Sequence, residues 1–111
     1  MRSRTISIPI YYGKLTIIID KDLSFVEKKY KTTTLNDFGA VVIKDKVGYR
    51  HYIVAFTDEK HLSNIAHEIV HIKNYIFLDC GIELDRNNDE AEAYLTGYLF
   101  DKIYSFFKYC N

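Results

Sequence analysis

The hydrophobic period of this chain changes once, near the midpoint, and that change limits the folds open to it. Up to about residue 56 the apolar residues come in short β-branched runs. Thr5-Ile6-Ser7-Ile8-Pro9-Ile10-Tyr11 alternates, and Pro9, which cannot donate to a ladder, marks it for a sheet edge. Gly13-Lys14 reads as a turn into Leu15-Thr16-Ile17-Ile18-Ile19, which is mostly apolar and so more buried. Residues 21–30 carry Leu23, Phe25, Val26 and Tyr30 among charges and suit a short helix, and Thr32-Thr33-Thr34 and Asn36-Asp37 suit a loop. Gly39-Ala40-Val41-Val42-Ile43 and Tyr49 to Phe56 flank Asp45-Lys46-Val47-Gly48 as a second hairpin.

Beyond that point the period becomes helical. Leu62, Ile65, Ala66, Ile69, Val70, Ile72, Ile76 and Phe77 recur at three- and four-residue spacing, which predicts a helix over about 60–79, with Asp58 as its N-cap and Gly81 as its C′ stop. A second helix is expected over about 88–109, capped by Asn87 or Asn88, with Asp89, Glu90 and Glu92 in its first turn, where carboxylates complement the helix dipole. Strands followed by helices, in 111 residues with room for one core, predict a single α+β domain spanning 1–111. The expected architecture is a small, mostly antiparallel sheet packed against these two helices.

Composition narrows the function. The chain is 48% hydrophobic and 27% charged, which excludes a disordered chain. Fifteen Lys/Arg balance fifteen Asp/Glu, which argues against gripping a phosphate backbone. Residues 1–56 carry a net +5 and residues 57–111 a net −5, and an acidic half suits a cation better than an anion. No apolar run is long enough to span a bilayer, and the start lacks the unbroken apolar stretch of a signal peptide. Cys80 and Cys110 read as reduced thiols, consistent with a cytosolic setting.

The motif with the most chemical content is His67-Glu68-Ile69-Val70-His71. Chance would supply about 0.008 such matches in a chain of this composition. On a helix, His71 lies about 40° round from His67 and Glu68 about 100° round, so both imidazoles can share one ion while the carboxylate is offset toward its water. Catalytic zinc takes three protein ligands and a water. The metzincin continuation needs glycine and histidine where this chain has Asn74 and Phe77. The remaining donors lie on the following helix, Glu90 and Glu92, which point about 200° apart, so one of them at most can ligate. Glu90 shares a helix face with Gly97, where a glycine allows close approach.

His67-Glu68-x-x-His71 followed by Glu90-Ala91-x-x-Tyr94 resembles the gluzincin-type arrangement of small zinc metallopeptidases, including phage-encoded zincin-like proteins and ImmA/IrrE-type peptidases. The resemblance covers residues 60 to about 107. It implies a minimal zincin-like fold in which His67, His71 and Glu90 hold Zn2+ and Glu68 is the general base of peptide-bond hydrolysis. It also implies a bacterial or phage setting, in the infected host cell or with the virion, and an extended peptide or protein substrate that pairs with the strand containing His51. The alternative is a non-catalytic metal-binding phage structural or regulatory protein. Tyr75, Tyr94, His51 and His61 are candidates to stabilise an oxyanion, and Asn64 and Asn74 to support the imidazoles. Tyr94, Tyr98, Phe100, Tyr104, Phe106, Phe107 and Tyr109 make the last helix aromatic on more than one face, which suits self-association or a protein partner.

Overall fold

The computed structural model describes residues 1–30, 39–57 and 61–109. The loop expected around Thr32 to Asp37, the Asp58 cap and Cys110 lie outside the described residues. The order is β1 (Arg2–Ser7), β2 (Lys14–Asp20), α1 (Ser24–Tyr30), β3 (Ala40–Lys44), β4 (His51–Thr57), α2 (Leu62–Cys80) and α3 (Glu90–Tyr109). This is an α+β fold, with strands first and the two long helices last.

The strands lie in the order β1-β2-β4-β3. Both outer pairings are antiparallel, as the two hairpins predict. The inner pairing, β2 with β4, is parallel and sets Lys14 beside His51 and Asp20 beside Thr57, so the sheet is mixed. Burial explains why these two runs take the centre. Leu15, Ile17 and Ile19 of β2, with Tyr52, Val54 and Phe56 of β4, face α2 and α3. Ile18, Ile53 and Ala55 face the other way and are covered by Leu23 and Val26. Strands sealed on both faces read as near-continuous apolar runs.

The first strand starts and ends earlier than the alternation suggests. Residues 8–13 form a loop in which Ile8 N–H donates to the Gly13 carbonyl at 3.0 Å. Ile10 and Tyr12 take positive φ there, 71° and 59°. Pro9 is the cause, because it fixes its own φ and offers no N–H. Gly13 is required where the loop closes: its φ is +111°, and a Cβ would lie 2.5 Å from the Arg50 carbonyl oxygen.

The Gly81 stop holds, whereas the expected N-caps, Asp58 for α2 and Asn87 or Asn88 for α3, are displaced. Asp22 Oδ1 accepts the Ser24 N–H at 2.9 Å ahead of α1. Gly81 (φ 70°) stops α2, with Gly81 N–H bonded to Leu78 O at 3.2 Å and Ile82 N–H to Phe77 O at 2.8 Å. The α2 N-cap position is His61, without a side-chain cap. In α3 the carbonyl of Asp89 accepts the first helical bond, one residue beyond the expected caps. Of the aromatic residues of α3 whose burial is described, Phe106 and Phe107 are buried in the core and Tyr98, Phe100 and Tyr104 pack against it, while Tyr94 is exposed.

One polar cluster ties the sheet to the end of α2. Asp79 accepts from the Lys44 ammonium and from the Tyr52 hydroxyl, the latter at 2.5 Å, while Arg50 bonds the Asp79 carbonyl at 3.3 Å. Burial pushes the Asp79 carboxyl up, but Lys44 and Tyr52 outweigh it and hold the group below the ordinary aspartate value. A depressed carboxyl contributes stability that is present above the unfolded pKa, about 3.9, and is lost as pH falls through the lower folded value. The melting-temperature gap between wild type and Asp79→Asn is therefore expected to be constant at neutral pH and to close below about pH 4. A scan of thermal melts against pH checks this.

Candidate metal centre

Ile65, Ile69, Ile72 and Ile76 form the buried stripe of α2 and dock it on the sheet. That docking decides where the motif points. His67 and His71 are exposed, and Glu68, on the shoulder of the helix, is buried at 5% exposure. All three line a cleft of about 430 Å³ between α2 and β3, together with residues 39–42, Asn64 and Tyr75. Among the described residues, His67, Glu68 and His71 form the group of His, Cys, Asp and Glu close enough to hold an ion, their ligand atoms lying within 4.8 Å of one another.

The imidazole geometry fits a tetrahedral ion. The two Nε2 atoms are 3.3 Å apart, with ring planes at 68°. Zinc–nitrogen bonds of about 2.0–2.1 Å at a tetrahedral angle require a separation of about 3.3–3.4 Å. A direct N–H···N bond at that distance is at the long end of the range. Glu68 adds the second signal: its Oε2 is buried and has no hydrogen-bond partner among the described residues. Burial raises the Glu68 carboxyl above its ordinary value, and the neighbouring His67 and His71 oppose that rise. A buried carboxylate left unpaired is costly unless a cation, water or substrate group completes it.

The carboxylates of α3 are not brought to this group. Glu92 Oε2 pairs with Lys73 Nζ at 2.6 Å. Lys73 lies about 200° round α2 from His71, so Glu92 is held on the far side of the helix. Glu90 is exposed and lies outside the group. It sits about 140–180° round α3 from the buried Leu95 and Leu99, on the outward stripe. Nothing lies within 4 Å of a Cβ placed on Gly97, so that glycine is not a point of close helix approach. The periodicity locates α3 but not its roll, and the apolar stripe of Leu95, Leu99 and Ile103 sets the roll against Glu90.

The secondary candidates separate cleanly. Tyr75 lines the cleft, its ring stacked 6.5 Å from Tyr52. Tyr94 belongs to a different groove with Pro9 and Ile10. His51 is on the opposite face of the sheet, held between Asp45 Oδ2 at 2.9 Å and Thr16 Oγ1 at 2.7 Å. His61 is at the start of α2, outside the cleft lining. Asn64 lines the cleft and Asn74 does not. The strand containing His51 is internal, paired on both sides, so it has no free edge for a peptide; β3 is the edge strand beside the histidines. The cleft wall at residues 39–42 is the part that sequence reading missed. Its one signal is Gly39, where a Cβ would sit 3.3 Å from Asn64 Nδ2.

No helix among the described residues is long and apolar enough to cross a membrane. The chain matches no protein-family model, no curated protein and no solved structure.

Proposed function

We propose that this chain is a zinc-dependent peptidase of zincin type, acting on a peptide or protein substrate in the cytosol of a bacterium or phage-infected cell. The observation that carries the reading is the pairing of two outward imidazoles at ion-sharing distance with a buried, unpartnered carboxylate on the same cleft. Structural zinc sites are closed by four protein ligands, whereas this group opens to a cleft and offers two imidazoles with Glu68 beside them, one protein ligand short of the usual catalytic set.

His67 and His71 would hold the ion through Nε2. Zinc bound there supplies a polarised carbonyl and a water acidic enough to ionise near neutrality. With the ion in place, Glu68 would be the proton acceptor for the water and the donor to the leaving amine, a task for which a raised carboxyl is suited. Of the tyrosines and histidines considered for a developing oxyanion, Tyr75 is the one that lines the cleft. The β3 edge offers backbone groups against which an extended substrate can lie.

A second reading, a metal-binding module without turnover, is favoured by the outward set of Glu90 and the engagement of Glu92 with Lys73. Zinc titration followed by a peptide-cleavage screen separates the two. Both readings expect zinc to raise the melting temperature of wild type, by about 2.7 kcal/mol of stability at a hundredfold excess over Kd, and expect His67→Ala and His71→Ala to abolish that rise. Peptide cleavage that is lost on chelation and restored by zinc supports the peptidase, and uptake without cleavage supports the module. A wild-type protein whose melting ignores zinc overturns both.

A further inference from the structure

The outward stripe of α2 does not end at the metal centre. His67, His71, Asn74 and Leu78 lie within about 60° of one another round the helix. Leu78 is 73% exposed. Just beyond it the Gly81 stop turns the chain back, and the Ile82 N–H to Phe77 O bond holds Ile82 beside the helix end. The result is a second groove of about 420 Å³, lined by Asn74, Phe77, Leu78, Ile82, Glu83 and Leu84. Leu84 is 54% exposed. Three large aliphatic side chains thus share one surface recess at the end of the helix that carries the histidines.

Glu83 lines this recess, and the connection that continues from it is acidic. Residues 81–90 are all exposed and carry Glu83, Asp85, Asp89 and Glu90 against a single Arg86. No ion pair joins these carboxylates to a cation of the chain among the described residues, and Asp85 is engaged by the Asn87 backbone N–H at 2.9 Å. An apolar recess beside an uncompensated acidic connection complements a segment that presents a large apolar side chain between cations. Along the helix axis, Leu78 is about 10 Å from His71. An extended chain covers that distance in about three residues.

The geometry points to this groove as the specificity site of the metal centre: it receives a large aliphatic side chain of the substrate, flanked by lysine or arginine, about three residues from the bond to be cleaved. This rests on the peptidase reading for its function, but the docking itself is independent of zinc. Charge and continuity with the histidine stripe point to a basic peptide; a second copy of this chain, whose residues 1–56 carry a net +5, is the competing occupant that the dimer outcome below tests.

The test is fluorescence anisotropy with a fluorescein-labelled peptide carrying one leucine between two arginines, against wild type, Leu78→Asp, Leu84→Asp and Glu83→Lys, each with and without zinc. These side chains are exposed, so the variants keep the fold, which their melts verify. The expected result is binding to wild type that weakens as salt rises and falls about tenfold or more in each variant, with or without zinc. Substituting the arginines of the peptide by glutamates is expected to abolish it. Binding that is absent, or equal in wild type and the three variants, overturns the proposal. So does a wild-type dimer split by Leu78→Asp with no peptide bound. Peptide docking without any cleavage by the zinc-loaded protein sustains the groove and sinks the peptidase reading, so the two failures are distinguishable.

Discussion

Glu68→Gln is expected to leave zinc uptake intact and to lower kcat/KM for any cleaved peptide by about 10²–10⁴-fold, the usual contribution of a positioned proton acceptor. The amide keeps the shape of the side chain and cannot accept the proton. The same substitution has a second expected effect of opposite sense. In the zinc-free protein Glu68 buries a carboxylate oxygen without a partner. Replacing it with a neutral isostere removes the cost of burying a charge, in part offset by the amide donors that take its place, and metal-free Glu68→Gln is expected to be more stable than wild type by up to about 1 kcal/mol. Urea melts of both proteins after chelation, read beside kinetics of the zinc forms, measure the two effects independently. A variant that loses zinc along with activity would make Glu68 a ligand. A variant that melts below wild type would mean that its carboxylate has an unseen partner.

The second large effect belongs to the support of the site. Phe56 is 1% exposed at the end of β4, with its ring edge-on to Phe107 at 5.1 Å. It sits in the cluster that also contains Ile65, Ile69 and Leu99, so it packs where α2, α3 and the sheet meet. Phe56→Ala is expected to cost about 3–5 kcal/mol, much of the roughly 5–15 kcal/mol that a domain has in hand. Zinc affinity should fall with it, because the ion binds only the folded arrangement of α2. Denaturant unfolding with and without zinc tests this: the midpoint should drop in both series, and saturating zinc should recover part of the loss.

What was legible in the sequence was whatever depends on neighbours along the chain. The helical period, the Gly81 stop and the His67/His71 spacing are local, and they locate α2 within two residues and set its histidines on one face. The hairpins follow from turn residues between β-branched runs. Three features depend on distant partners and were not legible. The parallel contact of β2 with β4 is decided by the covering of both faces, which needs α1. The roll of α3 is decided by which residues reach the core, and a motif such as Glu90-Ala91-x-x-Tyr94 says nothing about that roll. The fate of His51 is decided by Asp45 and Thr16, which meet it only once the sheet has formed. The metal pair was therefore readable as two residues of one helix, whereas a third ligand, which requires a relation between helices, was not.

The parallel seam between β2 and β4 also has a kinetic consequence. The hairpins and the α2–α3 pair can each form from nearby segments, but the seam cannot begin until β2, α1 and β3 have all been traversed and β4 returns beside β2. Closing so large a loop costs entropy before any contact offsets it, so the seam is expected to be the slow, late event in assembly. Nascent α2, with its histidines already aligned, has no wall to rest on until then. The cleft thus comes into being only when the sheet is complete, and an ion meeting the half-made chain finds two imidazoles on a helix but no pocket.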